Sequence, residues 1–300
     1  MKSACRLCGS GNIASLSKSM DYSQCGDCQF VWSKKSQNVH YNADYYQGRS
    51  SLLSAVFCLI FNFFYWLRRQ YVGDKKYKLW IDVGAGDGAF LKTVKADKRI
   101  GVEISSSGRQ MMQDLGLDVL SDKEFLKKSC FKADVISFWH VLEHTSDPES
   151  YIQAAKQNLA PTGKLVIGVP NISSWEFKLF GKKWFHYAHP YHQRHFSPSS
   201  LGFLLQKNGF RVKKKDYFSP EHHFSGLLQS FINWRSDSKD VLHKLTKRSS
   251  EQFTGMSFAN WLWVLFWISL GLPLVAAFWV FASLTGRPGA FVVVATLKKR

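Results

Sequence analysis

From Leu79 onwards, short apolar runs alternate with segments whose apolar residues recur at helical spacing. This alternation predicts an α/β fold built on a parallel, doubly wound sheet. The predicted strands are Leu79–Val83, Ile100–Ile104, Val119–Leu120, Ala133–Phe138, Lys164–Val169 and Phe210–Tyr217. The predicted helices are Phe90–Ala96, Ser105–Leu115, Pro148–Leu159 and Ser199–Asn208.

Two longer apolar segments lie outside this alternation. Leu52–Leu67 carries no charge and ends at Arg68 and Arg69. It is short for a membrane span, so we expect a buried or interfacial helix. Trp261–Leu284 is also uncharged, but a Gly-Leu-Pro sequence at 271–273 divides it into halves that are each too short to cross a bilayer.

The residues after the second apolar segment return to a strand pattern at Phe291–Leu297. If that strand belongs to the sheet, the chain must come back to the side from which it left. We therefore expect a helical hairpin that dips into one leaflet of a membrane. A buried dimer interface or a tunnel for a lipid substrate would produce the same pattern. The expected interfacial anchors are Trp261, Trp263, Trp267 and Trp279.

The first 33 residues carry two Cys-x-x-Cys pairs, each in a turn-rich sequence. Two such knuckles can close a tetrahedral Zn²⁺ site, and four thiolates leave no open position for a substrate. We therefore predict a structural zinc that supplies much of the folding energy of a small ribbon; the alternative is a pair of metal-free thiol hairpins. The predicted ligands are Cys5, Cys8, Cys25 and Cys28, whereas Cys58 and Cys130 lie in apolar surroundings and are expected to pack inertly.

These patterns divide the chain into four parts. Residues 1–33 form the predicted zinc ribbon, and residues 34–74 form a linker with an apolar helix. Residues 75–220 together with 286–300 form the predicted catalytic core. Residues 221–285 form a helical insertion at a membrane or at an interface between proteins.

The net charge of the sequence indicates an anionic partner. Lys and Arg number 40 against 22 Asp and Glu, a net charge of +18. Nucleic acid, an acidic metabolite or an anionic membrane surface would each match that excess, and the aromatic residues clustered in the two apolar segments favour the membrane. No apolar signal-peptide core follows Met1, so we expect the protein to be cytoplasmic and attached peripherally or monotopically to the inner face of the membrane. The basic groups expected to meet lipid are Arg68, Arg69, Lys182, Lys183, Lys213–Lys215 and Lys298–Arg300.

A glycine-rich sequence, Gly84-Ala85-Gly86-Asp87-Gly88, follows the first predicted strand. Its glycines fit a dinucleotide loop as well as an S-adenosylmethionine loop. A pyrophosphate here would be repelled by Asp82 and Asp87, whereas S-adenosylmethionine carries no phosphate and presents a positive ammonium and sulfonium. Glu103 ends the next strand, where an acid can accept both ribose hydroxyls. The carboxylates therefore favour the methyl donor over a nicotinamide cofactor.

Four ordered motifs carry a family resemblance. Asp82–Gly88, Gly101–Glu103, Phe138–His144 and Pro161–Leu165 resemble the class I S-adenosylmethionine-dependent methyltransferases, and above all the group related to the ubiquinone-biosynthetic O-methyltransferases; His189–Pro198 is similar to a later stretch of that group. The resemblance covers about residues 75–217. Ala85 and Thr162 depart from the usual pattern, and neither touches the expected chemistry.

The resemblance implies a Rossmann-like sheet whose last strand is antiparallel to its neighbour, with S-adenosylmethionine as cofactor. It implies cofactor-binding roles for Asp82, Gly84, Gly86 and Glu103. It also suggests that Asp122 lies near the adenine and Trp139 near the methionine part.

Methyl transfer needs positioning and removal of the acceptor's proton, and histidine suits the second task. Five of the ten histidines, at positions 140, 144, 189, 192 and 195, follow the fourth and fifth predicted strands. We single out His192 as the candidate base and keep His140, His144 and His195 as further catalytic candidates. His192 and His195 could instead be satisfied structurally by backbone groups.

His140, Glu143 and His144 share a face if they lie on a helix. In relatives with an acid at the first of these positions, that face is a divalent-metal site. Two hypotheses therefore remain open. A divalent metal binds near Glu143, or Glu143 and His144 only fix the loop.

The leading hypothesis is a membrane-associated methyltransferase that methylates a hydroxyl of a lipid-linked saccharide or other lipid acceptor. The second is a soluble small-molecule or sugar methyltransferase whose apolar segments form a homodimer interface. A zinc-ribbon nucleic-acid-binding protein is disfavoured, because no basic-aromatic stripe is evident and no nucleic acid is expected as a partner. A membrane scaffold with a vestigial cofactor fold is disfavoured by the intact cofactor motif.

Overall fold

The computed structural model describes residues 4–17, 19–34, 54–127, 131–236, 240–242 and 256–298. The expectations for residues 35–50, for Cys130 and for the side chain of Cys58 lie outside the described part. The strands are β1 (Ile13–Ser17), β2 (Met20–Cys25), β3 (Val31–Ser33), β4 (Tyr77–Val83), β5 (Ala96–Val102), β6 (Asp118–Leu120), β7 (Ala133–Trp139), β8 (Leu159–Pro170), β9 (Arg194–His195), β10 (Phe210–Asp216) and β11 (Ala290–Leu297).

Helices cover both faces of the large sheet and form the insertion before the last strand. They are α1 (Ser54–Gln70), α2 (Ala89–Thr93), α3 (Ser106–Asp114), α4 (Asp122–Lys127), α5 (Pro148–Asn158), α6 (Trp175–Phe180), α7 (Pro198–Lys207), α8 (Ser225–Arg235), α9 (Phe258–Ile268) and α10 (Leu272–Leu284).

The large sheet has seven strands in the order β10-β11-β8-β7-β4-β5-β6. Strands β4 to β8 are parallel, and β11 runs antiparallel between β8 and β10. The α/β, Rossmann-like fold with an antiparallel last strand is therefore confirmed. The central parallel strands β4 and β7 are buried on both faces almost throughout, as their apolar sequences require.

Two strands begin at least four residues earlier than predicted. Strand β8 begins at Leu159 rather than at Lys164, and the start of β5 was wrong by four residues. The predicted helix Phe90–Ala96 ends at Thr93, and β5 begins at Ala96 rather than at Ile100. The first residues of β5 pair with the start of β4, from Tyr77 opposite Ala96 to Trp80 opposite Arg99. Their side chains are largely exposed, so they carry no apolar signal although their backbone is in the sheet.

The predicted break in the second apolar segment is confirmed. Helices α9 and α10 meet at a bend of 58° around Ser269-Leu270-Gly271. Among the described helices, none is long and apolar enough on its own to cross a membrane, whereas this bent pair meets that test of length and composition when its two helices are combined. After this bent helical pair the chain returns to the sheet as β11, which pairs with β8 and β10.

The cysteine ribbon, which we define as β1–β3 and the turns that carry the four cysteines, forms a second sheet in the order β1-β2-β3-β9. Its Leu7, Phe30 and Trp32 belong to the same apolar core as α7 and the large sheet. Its Met20 and Tyr22 belong to a second core shared with α8 and the α9–α10 hairpin. The domain boundaries drawn from the sequence stay predictions, but the ribbon does not depend on a core of its own.

Candidate functional site

The glycine loop after β4 needs glycine for two reasons. Gly84, Gly86 and Gly88 have φ values of +71°, +61° and +78°, a region that other residues rarely adopt. At Gly84, a Cβ atom would also collide with a methyl group of Val141. The loop therefore lies directly against the turn at 140–144, which brings the predicted cofactor loop and the first histidines to one place.

Glu103 ends β5 and is almost fully buried. Its Oε2 accepts a hydrogen bond from the Gly86 N–H at 3.0 Å, and its Oε1 accepts one from the Ser105 N–H at 2.9 Å. These two bonds hold the carboxylate against the glycine loop. A carboxylate fixed at the end of this strand suits the two hydroxyls of a ribose, because its oxygens act only as hydrogen-bond acceptors.

Asp82 lies at the end of β4 with 3% of its surface exposed. Burial raises the pKa of its carboxyl to about 7, against the opposing effects of a hydrogen bond from Ser137 and the charge of Arg68. The Ser137 hydroxyl donates to Asp82 Oδ1 at 2.6 Å. A buried carboxylate with incomplete compensation favours a cationic ligand such as the ammonium of the predicted cofactor.

Arg68 is a site residue that sequence reasoning missed. We expected it at the polar end of a lipid-facing helix, but its side chain turns inward, 5.0 Å from the Trp139 ring and 5.2 Å from the Phe90 ring. Its guanidinium donates to both carboxylate oxygens of Glu221, at 2.9 and 2.5 Å. The sequence showed only a basic residue ending an apolar helix, and nothing in it placed that helix over the carboxyl edge of the sheet.

Trp139 and Asp122 also lie at this edge. Trp139 ends β7, and its buried Nε1 has no hydrogen-bond partner among the described residues. Asp122 begins α4. Burial is the main cause that raises the pKa of Tyr151 to about 12, and the nearby charges of Asp122 and Glu103 contribute in the same direction. The glycine cradle, the fixed Glu103 carboxylate and the unpaired indole N–H fit S-adenosylmethionine.

The residues at 140–144 do not form the expected helix. His140 directly follows β7 with a φ of +57°, and Leu142–His144 make a single 3₁₀ turn. His140 Nδ1 nevertheless lies 3.0 Å from Glu143 Oε1, so the expected contact forms on a turn instead of a helix face. The His144 ring lies with its centroid 4.6 Å from that of His192.

His192 is buried, and its Nδ1 lies 2.7 Å from the carbonyl oxygen of His186. A carbonyl can only accept, so Nδ1 carries the proton and Nε2 keeps a lone pair. Burial lowers the pKa of His192 well below its ordinary value, and the neighbouring His144, His195 and His186 lower it further. His192 is therefore an uncharged proton acceptor at neutral pH. His186 is a second residue that sequence reasoning missed.

His195 has different surroundings. It is fully buried, its ring lies 5.2 Å from that of Tyr22, and neither ring nitrogen has a partner among the described residues. Burial, with smaller effects of nearby histidines, lowers its pKa to about 3. This position favours packing over proton transfer. His189, the fifth histidine of the set, is exposed.

The Glu143 carboxylate and the rings of His144 and His192 each offer a ligand atom within 4.8 Å of the others. One carboxylate and two imidazoles suit a divalent transition metal. The divalent metal left open near Glu143 thus has a matching set of candidate ligands that includes His192.

The four predicted zinc ligands lie together in the ribbon. Their Sγ atoms are all within 4.8 Å of one another, and the Cys5–Cys28 and Cys8–Cys25 pairs are each 3.6 Å apart. Zn–S bonds of about 2.3 Å in a tetrahedron separate sulfur atoms by about 3.8 Å. Although burial opposes it, backbone N–H groups of Cys28 and Asp27 lower the pKa of Cys25 to about 7. The donor set and spacing fit zinc.

Known proteins are similar to part of this chain. A curated ubiquinone biosynthesis O-methyltransferase of Glaesserella parasuis is 28% identical in an alignment of 131 residues that covers 38% of this chain and 56% of the relative. An uncharacterized protein of Methanocaldococcus jannaschii is 29% identical in an alignment of 106 residues that covers 34% of this chain and 50% of that protein. The chain thus spans about half the length of the curated relatives it matches.

Similarity of fold extends further along the chain. In the structure of the Haloferax volcanii complex between the Trm112 methyltransferase activator and a methyltransferase, one chain aligns with a TM-score of 0.51 at 11% identity, over 87% of this chain and all of that one. The methyltransferase domain family matches residues 65–215, which is just over half of this chain. The protein therefore belongs to the methyltransferase domain family and has the fold of the S-adenosylmethionine-dependent methyltransferases.

Proposed function

We propose that the protein is a membrane-associated methyltransferase that uses S-adenosylmethionine to methylate a hydroxyl of a lipid-borne acceptor, with a structural zinc in its ribbon. The observation that carries the proposal is His192, an uncharged base whose ring is held through its Nδ1 and lies beside Glu143 and His144. The O-methyltransferase name of the Glaesserella relative supports a hydroxyl acceptor.

Each of the site residues has a separate role in the proposed methyl transfer. The bound cofactor supplies an activated methyl group on its sulfonium. Asp82 and Arg68 would hold the charged amino-acid end, and Glu103 would hold the ribose. His192 Nε2 would take the proton of the acceptor hydroxyl as its oxygen bonds to the methyl carbon and the carbon–sulfur bond of the cofactor breaks, which leaves S-adenosylhomocysteine. The His192 Nδ1–H would keep the ring in place through the His186 carbonyl.

The test is to incubate the protein with methyl-labelled S-adenosylmethionine and, in parallel reactions, a total membrane lipid extract and the water-soluble extract of the same cells. We expect label in the organic phase of the lipid reaction. Label only in water-soluble sugars would replace the lipid acceptor by a soluble one. Tight cofactor binding with no transfer to either fraction would contradict methyl transfer itself.

Replacing His192 with Gln should abolish transfer and leave the affinity for S-adenosylmethionine unchanged, because the His192 ring contacts His144, His195 and the His186 carbonyl and none of the residues assigned to the cofactor. We expect a loss of about 100-fold or more in kcat. His189→Gln is the matched control, since it makes the same change at an exposed histidine of the same segment. Unaltered turnover of His192→Gln would remove it as the base, and activity that depends on added divalent ions would make it a metal ligand.

Exposed leucines on the hairpin support the membrane part of the proposal. Leu270 and Leu284 are 76% and 73% exposed. Helix α1 adds further exposed apolar residues, including Phe63 and Trp66. Of the tryptophans expected as anchors, Trp267 is instead buried and stacks on Phe231.

Some of the charges expected to meet lipid have acidic partners within the protein. Arg68 pairs with Glu221 and Arg69 pairs with Asp74, and Lys214 lies 3.7 Å from Asp216. The exposed lysines at 182, 213, 215 and 298 are the proposed contacts with lipid, and residues 299–300 lie outside the described part.

We expect the parent protein to pellet with anionic vesicles and to be released by detergent. The variant Leu262→Gln/Leu265→Gln/Leu270→Gln should pellet several-fold less, since it removes exposed apolar area from the hairpin without touching its buried residues. Leu115→Gln is the control, because Leu115 is an exposed leucine at the end of α3. Equal pelleting of both variants would contradict attachment through the hairpin, and a vesicle-independent dimer lost in the triple variant would favour the dimer interface.

A further inference from the structure

The ribbon and the histidine segment form one sheet. Strand β3 pairs antiparallel with β9, with Val31 opposite His195 and Trp32 opposite Arg194. The Ser33 N–H adds a hydrogen bond to the carbonyl oxygen of Gln193 at 2.8 Å. The backbone that follows His192 is therefore the fourth strand of the ribbon.

Tyr22 of β2 makes a second connection, to His192 itself. Tyr22 is fully buried, and its hydroxyl donates to the His192 carbonyl oxygen at 2.5 Å. Its ring packs against those of His195 and Tyr187, with centroids 5.2 and 5.6 Å away. Burial raises the pKa of Tyr22, so the hydroxyl keeps its proton and remains a donor.

The methyltransferase core holds the same segment from the other side. Arg194 is 2% exposed, and its Nη2 donates to the carbonyl oxygen of Ser146 at 2.8 Å, just after the 142–144 turn. The ring of His192 is held through its Nδ1 by His186. The histidine segment is thus clamped between the ribbon and the turn that carries Glu143 and His144.

The cysteine cluster lies at the end of the strand that carries Tyr22. Cys25 is the last residue of β2, and the knuckle that follows places Phe30 with its ring 5.4 Å from that of Phe196. A metal held by the four cysteines would tie the chain before β1 to the end of β2. The ribbon's two contacts with the histidine segment, through β3 and through Tyr22, would then be fixed together.

We infer that the ribbon is a functional part of the acceptor site. Tyr22 is a positioning residue that fixes the position of the His192 base. Metal bound by the four cysteines maintains the contact between Tyr22 and His192. The inference rests on the proposed role of His192 in methyl transfer. It assigns the ribbon a task in the reaction beyond its own folding.

Tyr22→Phe removes one hydrogen bond and keeps the ring, the cysteines and the cofactor site. We expect kcat to fall about tenfold, with the dissociation constant of S-adenosylmethionine and the zinc content unchanged. Tyr77→Phe is the matched control, because it deletes a buried tyrosine hydroxyl that donates to the Val72 carbonyl oxygen at 2.6 Å, away from the histidines. In a His192→Gln background, Tyr22→Phe should have no further effect on the residual rate. Wild-type kcat in Tyr22→Phe, or a full tenfold loss in the His192→Gln background, would overturn the positioning role.

Hydrogen exchange separates this inference from the proposed activity. In the full-length protein with S-adenosylmethionine bound, the amides of 192–196 should exchange faster in Tyr22→Phe than in the parent and in Tyr77→Phe. Release of zinc by a mercurial reagent, followed with a zinc-sensitive dye, should speed exchange at the same amides and leave those of β4 and β5 unchanged. Unchanged exchange at 192–196 in both experiments would overturn the inference, whether or not methyl transfer is found.

Discussion

Replacing Asp82 with Asn is expected to stabilise the folded protein and at the same time to remove most of its affinity for S-adenosylmethionine. Burial raises the pKa of Asp82 from 3.8 to about 7, so the folded chain binds this proton more tightly than the unfolded chain does. The stability contributed by the neutral carboxyl is complete below the unfolded pKa and is lost as pH rises through 7. At pH 8 the ionised group costs at most about 4 kcal/mol.

Asn fills the same space and cannot ionise, so it avoids this cost. The midpoint of thermal unfolding at pH 8 should rise by several degrees in Asp82→Asn, and the difference should vanish near pH 4. The variant also lacks the negative charge that attracts the ammonium of the cofactor, and we expect its dissociation constant to rise at least about 100-fold. Calorimetric unfolding scans and titrations with S-adenosylmethionine measure the two effects.

The parent protein should show the same linkage. A cationic ligand favours ionised Asp82, so the affinity for S-adenosylmethionine should fall as pH drops below about 7 and binding there should release a proton. Asp87→Asn is the control, since Asp87 lies in the same loop and accepts the Ala89 N–H at 3.0 Å. If Asp82→Asn loses stability at pH 8 or keeps the parent affinity, the buried carboxylate is not the cation-binding group.

Local signals in the sequence were enough for the sheet and the cofactor loop. The strands that are buried on both faces show as continuous apolar runs, and the glycines of the loop occur where positive φ values demand them. The hairpin break showed because a proline near the start of α10 cannot continue the preceding helix. Each of these features depends on a few neighbouring residues in the sequence.

The rest depends on contacts between distant residues. The pairing of Val31 with His195 joins positions far apart in the chain, and a two-residue strand such as β9 has no periodicity to detect. Arg68 and His186 became site residues only because tertiary packing brought α1 and the 185–187 turn over the carboxyl edge of the sheet. Polar residues at the start of β5 hid a strand, because backbone pairing does not require an apolar side chain.

The burial of Glu176 also depends on distant contacts, because nothing in the sequence of α6 indicates that this single acid is buried. Its side chain is fully buried, and its oxygens accept hydrogen bonds from Trp184 Nε1 and from the Gly289 N–H, each at 3.0 Å. His223 Nε2 lies 2.9 Å from Glu176 Oε1, and the Ser283 hydroxyl lies 3.4 Å from the other nitrogen of His223. The carboxylate thus joins the chain before the histidine segment, the hairpin and the start of β11.

Replacing Glu176 with Ala should destabilise the protein by about 3–5 kcal/mol, because the change leaves a buried imidazole and two buried N–H groups without their acceptor. The midpoint of thermal unfolding should fall by about 10 °C. Glu176→Gln should cost less, since the amide oxygen can still accept one of the two N–H bonds. Differential scanning calorimetry at saturating S-adenosylmethionine measures both.

The double variant Glu176→Leu/His223→Leu decides whether the pair acts as a unit. Each single leucine variant leaves a buried polar partner behind, whereas the double variant leaves no charged group unpaired, so its loss should be smaller than the sum of the two single losses. Glu149→Leu is the matched control, because Glu149 forms its ion pair with Lys207 at the exposed start of α5 and its loss should cost less than 1 kcal/mol. Additive losses in the double variant would mean that Glu176 and His223 stabilise the hairpin and the last strand independently of each other. A coupling of 1 kcal/mol or more would identify one buried joint between the apolar hairpin and the loop that positions the histidines.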